Sequence, residues 1–397
     1  FIQQIKKELP QGNIIEAKSG VDCFTWFVPK SWDVKHAILK NELGETIIDF
    51  KNNPLHLIQY SSAYKGELNF EELKSHLFYS KERPKDIPFI YRKQYQFELD
   101  DSWGFSMPYE TFEKLNTNLK YFVDIDVTFS DKHMTLFDFH LPGKKPDTIF
   151  FAAHSCHPGQ VNDGIAGIAL LIELFKWLQK KEEHNYSYRM IIGPEYFAAA
   201  YYLTLNEKIK HLKYGFFLDM MVHSGPIGFS HSYENNTLVD KVTEFCLEKN
   251  FESYGKFDYR RLYGNDEMFY DGPDFQIPTV SLGRSNFENY HHSSDDMESI
   301  NKKNVDESRS LLKNIIKIFE NDRVLKRKYV GPLYLTRFDL YIDPKKDREG
   351  YKNLQNIQIE MDGKKSTLDI AQKLNIDIGF VNNFADSLLE KNLAEIV

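Results

Sequence analysis

The centre of the chain alternates between apolar runs and segments with helical spacing. The runs "DTIFFAAH" (147–154), "YRMIIGPE" (188–195) and "LKYGFFLDM" (212–220) predict strands, and the first two are continuous enough for strands buried on both faces. Apolar residues recur with helical spacing in "NDGIAGIALLIELFKWLQK" (162–180) and "YFAAAYYLTLN" (196–206). Alternation of strand and helix predicts the α/β class: a mixed, mostly parallel sheet covered by helices.

The segments around this centre have a different pattern. Residues 34–107 consist of short, turn-rich segments. This pattern predicts a small β-rich domain inserted into a main domain that covers residues 1–33 and 108–325. Two alternating segments, "YFVDIDVTFS" (121–130) and "HMTLFDFHLPG" (133–143), predict a pair of antiparallel strands.

The C-terminal part, residues 326–397, has helix-turn-helix spacing and predicts a winged-helix domain after a basic linker, "RVLKRK" (323–328). Its second predicted helix carries Asn382, Asn383, Asp386 and Glu390 and very little positive charge. A DNA-binding helix needs Lys or Arg against phosphates, so we expect a structural or protein-contact role, with DNA binding the minority alternative.

Composition narrows the classes of partner and compartment. The 397 residues carry a formal net charge of −8, so we expect neither a nucleic-acid nor a membrane partner. No apolar run is long enough to span a bilayer. Three cysteines cannot form a disulfide framework, which favours a reducing, cytoplasmic location.

Ionisable residues stand at the ends of three predicted strands, at the start of the helix after the first of them, and just before a later helix. They are His154, Asp163, Glu195, Asp219, and the pair His291 and His292 in "NYHHSSDD". Carboxyl ends of parallel strands meet at one edge of a sheet, and nitrogen and oxygen ligands of this kind suit Zn²⁺. A carboxylate shared by two ions would suit a cocatalytic site, although Mn²⁺ or Co²⁺ would also accept these ligands. Taken singly, each residue has a structural alternative as a helix cap, a salt-bridge partner or a hydrogen-bonded core residue.

The set "AAH … VNDGIAG … PE … FLDM … YHHSSD" resembles the cocatalytic zinc aminopeptidases of the bacterial leucyl aminopeptidase and glutaminyl cyclase superfamily. The order of "FTWFVPKSWDV", "HSCHPGQVNDG" and "GNDEMFYDGPDFQIPTVSL" is similar to a bacterial aminopeptidase-like branch that has an inserted domain of unknown function and a C-terminal winged helix. The resemblance implies a zinc-peptidase-like fold and a frequent association with polysaccharide biosynthesis. It implies these metal ligands: His154, Asp163 as the bridging residue, Glu195, Asp219 and His291.

The chain departs from the family pattern at three points. Cys156 replaces an aspartate that orients the first ligand, and His157 beside it is a rival ligand to His154. The family's Glu-Glu pair is Pro194-Glu195 here, so Glu195 serves either as ligand or as base. Gly164 stands where asparagine is common, a change that a strained turn would accept.

If Glu195 is a ligand, the base must come from "GNDE", and the candidates are Asp266 and Glu267. We therefore expect hydrolysis of an amide by metal-activated water and a carboxylate base, with one or two zinc ions. Arg284 is a candidate for holding a substrate carboxylate or phosphate, with a structural salt bridge as its alternative, and Tyr263 and Tyr290 are candidates for lining the pocket.

The expected substrate is a small peptide or another amide-bearing small molecule. The alternatives are a deacylase or amidase that acts on an amino-sugar or peptide conjugate, a catalytically inactive metal-containing binding protein, and a DNA-linked regulator. The sequence leaves the oligomeric state open, and a homo-oligomer is one alternative.

Overall fold

The fold is taken from a computed structural model that describes residues 1–91 and 95–397. Part of the turn-rich segment 87–99 therefore lies outside the described residues. Across the described residues, no helix is both long and apolar enough to cross a membrane.

The chain divides into two compact units. The first comprises residues 1–240 and 252–310, and the second comprises residues 241–251 and 311–397. The described strands of the first unit are β1 (Asn13–Lys18), β2 (Asp22–Cys23), β3 (Trp26–Phe27), β4 (Ser31–Asn41), β5 (Thr46–Asp49), β6 (Tyr64–Leu68), β7 (Leu77–Phe78), β8 (Phe105–Ser106), β9 (Tyr121–Ser130), β10 (His133–Leu141), β11 (Thr148–His154), β12 (Ser187–Gly193), β13 (Leu212–Leu218), β14 (Ile227–Ser230), β15 (Gly255–Phe257) and β16 (Thr279–Arg284).

The first unit also contains most of the short helices. Its described helices are α1 (Ile2–Glu8), α2 (Phe70–Lys74), α3 (Tyr109–Phe112), α4 (Ile165–Leu178), α5 (Phe197–Leu203), α6 (Asn206–Ile209) and α8 (Glu267–Tyr270). Two helices, α7 (Leu238–Asn250) and α9 (Lys302–Asn321), have residues in both units.

The predicted central sheet is confirmed. Eight strands pair in the order β1-β10-β12-β11-β13-β16-β14-β15, and the core pairs β12·β11, β11·β13 and β13·β16 are parallel. Every residue of β11 and β12 is buried, as expected for continuous apolar strands covered on both faces. The mixed character comes from antiparallel pairs near the two edges.

The predicted pairing of 121–130 with 133–143 is wrong. Strand β9 pairs with β4 and β6 in a separate four-stranded sheet, whereas β10 joins the central sheet. Strand β9 alternates between buried and more exposed residues, but β10 does not, because residues 136–139 are all buried. Alternation in a sequence specifies a buried face and does not choose the partner strand. The four-stranded sheet that contains β4, β5 and β6 therefore also includes β9, which extends to Ser130.

The second unit has its own sheet and helices. Its strands β17 (Val324–Arg327), β18 (Asp362–Ser366) and β19 (Ala394–Ile396) pair in the order β18-β17-β19, and its helices are α10 (Arg348–Glu360), α11 (Thr367–Leu374) and α12 (Ile378–Glu390). The basic run 323–328 is thus the central strand of this sheet and not the predicted linker, so the predicted boundary at residue 326 falls inside a strand.

Candidate metal centre

Three neighbouring strands bring ionisable side chains to one edge of the central sheet. Strand β11 ends at His154, which pairs in register with Gly193 at the end of β12. Glu195 follows two residues after β12, and Asp219 follows directly after β13. The parallel alignment of these strands explains why residues far apart in sequence meet here.

The two carboxylate oxygens of Asp163 face different histidines. His154 Nε2 lies 3.4 Å from Asp163 Oδ1, whereas His157 Nε2 and His291 Nε2 lie 3.8 Å and 3.3 Å from Asp163 Oδ2. The sequence makes His154 and His157 rival candidate ligands, whereas in the structure both lie beside Asp163, one at each carboxylate oxygen. His292 is different, because its Nδ1 contacts the carbonyl of Tyr290.

Two overlapping sets of ligand atoms are spaced as a metal site requires. The ligand atoms of His154, Cys156 and Asp163 lie within 4.8 Å of one another, and so do those of His157, Asp163 and His291. Among the described residues, Asp163 Oδ2 and His154 Nδ1 are buried without a hydrogen-bond partner. Buried polar atoms without partners are costly, so these residues fit a bound cation, and the nitrogen, oxygen and sulfur donors fit zinc.

Asp219 stands beside His154 and is held by several donors. Its Oδ1 accepts hydrogen bonds from the backbone amides of Gly164 at 3.0 Å and Met220 at 2.9 Å. Its Oδ2 accepts one from Asn265 Nδ2 at 3.3 Å and lies 3.4 Å from His154 Nε2. These contacts fix the orientation of a carboxylate that faces the same side of Asp163 as His154 does.

The loop that carries Asp163 is anchored by Asp295. The Asp295 carboxylate accepts hydrogen bonds from the backbone amides of Val161, Asn162 and Asp163 at 3.0, 2.8 and 3.1 Å. Gly164 follows with φ +86°, and an added Cβ would lie 2.4 Å from the carbonyl oxygen of His154. Glycine is therefore required at this position both by its left-handed backbone and by the close approach of β11.

The segment that contains Arg83 and Phe89 supports the loop that carries His291. The backbone amide of Phe89 donates to the carbonyl of His291 at 2.8 Å, and the Phe89 ring stacks on His157 with centroids 3.8 Å apart. Arg83 donates to the Glu288 carbonyl and to the Asn289 side chain. Phe89 thus contacts two of the three histidines around Asp163.

Glu195 lines the cavity next to these groups. The cavity has a volume of about 350 Å³, and its walls include Glu195, Asp219 and His291. The Tyr95 hydroxyl donates to Glu195 Oε2 at 3.1 Å. Burial raises the pKa of Glu195, and the nearby charges of Asp163 and Asp219 act in the same direction.

Asp266 and Glu267 do not reach this cavity, which corrects their prediction as candidate bases. Asp266 Oδ1 accepts the backbone amide of Tyr196 at 2.6 Å, and burial raises the pKa of Asp266 to about 8. Both Glu267 oxygens accept the Asn265 amide, at 3.0 and 2.8 Å, and burial raises the pKa of Glu267 to about 7. Asp266 thus holds the backbone before α5, Glu267 holds the turn before α8, and neither is among the described residues that line the cavity.

Arg284 is not among the described residues that line the cavity, and its contacts favour the structural alternative over substrate binding. The side chain is buried, and its guanidinium donates to the Met221 and Gly225 carbonyls, each at 3.0 Å, and to Glu307 Oε2 at 2.9 Å. The fold therefore contains the structural salt bridge that was the alternative for Arg284, and its partner is Glu307. The Arg284 side chain thus links β16 to neighbouring segments.

Both predicted pocket tyrosines line the cavity. The Tyr290 ring stacks on His291 with centroids 3.7 Å apart, and the Tyr263 hydroxyl donates to the Arg284 carbonyl. Sequence reasoning missed Tyr95 and Asn265, which contact Glu195 and Asp219 from distant segments. In the sequence, Cys156 was considered only as the replacement of an aspartate. A cysteine within two residues of a candidate histidine ligand is itself a signal for metal binding.

The chain has a mixed α/β fold with a mostly parallel central sheet, and this fold resembles the aminopeptidase fold. The structure is similar to BSAP, a zinc aminopeptidase from Bacillus subtilis, with a TM-score of 0.57 and 12% identity over 79% of this chain and 87% of that one. It is also similar to a peptidase M28 precursor from Shewanella amazonensis, with a TM-score of 0.54 and 11% identity over 84% and 88% of the two chains. Identities this low establish the fold alone.

The chain belongs to the family described as "Domain of unknown function (DUF4910)", whose model matches residues 1–322. A relative from Clostridium acetobutylicum, named as a candidate polysaccharide biosynthesis protein with an aminopeptidase-like domain, is 30% identical over 99% of this chain and 90% of its own length. The crystal structure of a candidate peptidase from the same organism matches with a TM-score of 0.89 and 28% identity, over 100% of this chain and 91% of that one.

Proposed function

We propose that the protein is a metal-dependent amide hydrolase of the aminopeptidase type, with zinc as the preferred ion. The main observation behind this proposal is that the two carboxylate oxygens of Asp163 face different histidines. Oδ1 faces His154, and Oδ2 faces His157 and His291. A carboxylate placed between two sets of ligands is the arrangement of two-metal hydrolytic sites.

In this proposal His154 and Asp219 would hold one ion, His157 and His291 the other, and Asp163 would be shared. His157 then supplies the ligand that the second glutamate of the Glu-Glu pair supplies in the family that the sequence resembles. Glu195 belongs to neither set of closely spaced ligand atoms among the described residues, which supports its role as the base.

Zinc, when bound, supplies a Lewis acid that activates a water for attack and stabilises negative charge on the substrate carbonyl. The Glu195 carboxylate lies beside the cavity and takes the proton from the attacking water. It then delivers that proton to the amide nitrogen as the carbon–nitrogen bond breaks. Burial raises the pKa of Glu195, and a general acid–base group works best when its pKa lies near the operating pH.

The substrate we propose is a small peptide or an amide-bearing amino sugar. The cavity is walled by aromatic side chains, which pack against the apolar faces of a ligand: Phe89, Tyr91, Tyr95, Tyr196, Tyr263, Phe287 and Tyr290. The name of the Clostridium acetobutylicum relative, which refers to polysaccharide biosynthesis, favours the amino-sugar conjugate as the second candidate.

The test combines metal analysis with a substrate panel. The zinc-loaded chain is assayed against aminoacyl-anilides and N-acylated amino sugars, beside Glu195→Gln and Asp163→Asn. We expect Glu195→Gln to keep its zinc and lose at least about 100-fold in activity, and Asp163→Asn to lose zinc and activity together. Full zinc content in Asp163→Asn would contradict the ligand assignment. Zinc binding without cleavage of any panel member would favour an inactive metal-containing protein.

For the second unit we propose a structural or protein-contact role rather than DNA binding. Helix α12 presents Asn383, Asp386 and Glu390 as exposed residues, and Asp386 is paired with Arg323. Such a surface offers few cations to phosphates. Titration of the full chain with duplex DNA at two salt concentrations checks this, and salt-sensitive binding would contradict it.

A further inference from the structure

We propose that Cys156 is a thiolate ligand of the ion held by His154 and Asp163. This inference rests on the proposed function, because it assumes that a cation binds at this edge of the sheet. It adds a sulfur donor to a site whose other candidate ligands are imidazole nitrogens and carboxylate oxygens.

The geometry places the Cys156 sulfur among the ligand atoms themselves. Its Sγ, one ligand atom of His154 and one ligand atom of Asp163 all lie within 4.8 Å of one another. Cys156 also lines the cavity that contains Glu195. The other two cysteines, Cys23 and Cys246, are buried elsewhere and belong to no such group among the described residues.

A buried amide beside the sulfur lacks a partner. Gln160 Nε2 is buried without a hydrogen bond, as are His154 Nδ1 and Asp163 Oδ2, the oxygen that faces His157 and His291. Gln160 Oε1 lies 3.5 Å from Cys156 Sγ, so a half-turn of this amide brings an N–H group to the sulfur. A thiolate bound to a cation would accept that hydrogen bond as well as one from His157 Nδ1, which lies 2.9 Å away.

A sulfur ligand changes the metal that the site selects. Thiolates favour Zn²⁺ and Co²⁺, whereas an all-oxygen and nitrogen set also accepts Mn²⁺. A coordinating thiol is deprotonated by the ion itself, so the sulfur needs no other base. The alternative is that Cys156 touches only His157 and positions that ring, as partners of metal-ligating histidines commonly do.

Cobalt substitution separates these two roles without relying on activity. The metal-free chain is loaded with Co²⁺ and its absorption spectrum is recorded, beside Cys156→Ser and the control Cys246→Ala. We expect a near-ultraviolet sulfur-to-cobalt charge-transfer band in the unmodified chain and in Cys246→Ala, and its loss in Cys156→Ser while the visible cobalt bands remain. We also expect Cys156→Ser to bind zinc at least about tenfold more weakly and to discriminate less against Mn²⁺.

The outcomes distinguish this inference from the proposed function. A cobalt-loaded chain that lacks the sulfur band, or a band that persists in Cys156→Ser, overturns the ligand role of Cys156. If that chain still hydrolyses amides, the proposed function stands. A chain that takes up neither zinc nor cobalt overturns both.

Discussion

The carboxylate of Asp295 accepts the backbone amide of Asp163 at 3.1 Å and so fixes the residue on which the candidate metal centre is built. The same carboxylate accepts the two preceding amides, which makes the whole loop rigid. Asp295 itself lies in the segment that carries His291. One side chain thus sets the position of Asp163 relative to a histidine that faces it.

We predict that Asp295→Asn weakens zinc binding by about 10- to 100-fold, because the new NH₂ group would oppose backbone N–H donors and let the loop shift. Competition with a chromogenic chelator measures the affinity. The neighbouring Asp296→Asn is the control, since Asp296 caps a short helix through Glu298 and does not contact the Asp163 loop. If Asp295→Asn and the unmodified chain bound zinc with equal affinity, Asp295 would not position the metal ligands.

Gly164→Ala should destabilise the fold more than the same change at Gly44. Both glycines have left-handed φ angles, +86° and +82°, so both variants carry about 1–2 kcal/mol of backbone strain. Only at position 164 would the new Cβ also meet a backbone atom, the His154 carbonyl oxygen at 2.4 Å, whereas Gly44 faces open space. Urea unfolding of the metal-free variants measures the difference, and equal losses would show that the contact with His154 is relieved without cost.

Arg284→Ala should act on stability and not on substrate affinity. Removing the guanidinium takes away the donor to the Gly225 carbonyl and one of the two donors to the Met221 carbonyl, where Ser308 Oγ remains. It also removes the closer of the two cations beside Glu307, where Lys303 remains, for a total loss of about 2 kcal/mol. Glu307→Gln keeps an acceptor for Arg284 and should cost much less. Denaturant unfolding gives both values, and a raised KM in a fully folded Arg284→Ala chain would restore the substrate-binding prediction.

Local sequence pattern predicts much of the fold, but it predicts only part of the candidate metal centre. Strands β11 and β12 are continuous apolar runs, and such runs in a chain that alternates strand and helix predict a buried parallel sheet. The partner of β9 could not be predicted, because alternation fixes which face is buried and leaves the neighbour open.

For the site, the strand ends predict which residue types meet at the sheet edge. They do not predict where a side chain turns within a loop. Asp266 and Glu267 have the residue type of a base, yet both carboxylates face backbone amides, and Arg284 faces two carbonyls. These directions depend on contacts with distant segments, which the sequence of each loop does not contain.

Asp240 should make the fold sensitive to acid. Burial alone would raise the pKa of Asp240, but hydrogen bonds from Ser232 and Thr237 outweigh burial and hold its pKa below the ordinary value; His231 Nδ1 lies 3.2 Å from the same carboxylate. Because the folded pKa is the lower one, this stabilisation is complete above the unfolded value of about 4 and is lost as the pH falls through the folded value.

We therefore predict that Asp240→Asn lowers the free energy of unfolding at neutral pH, and that its difference from the unmodified chain narrows as the pH falls below about 4. Urea unfolding of the metal-free proteins across this pH range measures the difference. Asp131→Asn is the control, because its carboxylate is largely exposed and lies 3.9 Å from an exposed Lys30. That substitution should change stability little at any pH, since exposed ion pairs contribute little. A difference for Asp240→Asn that stays constant from neutral to acid pH would show that its ionisation is not coupled to folding.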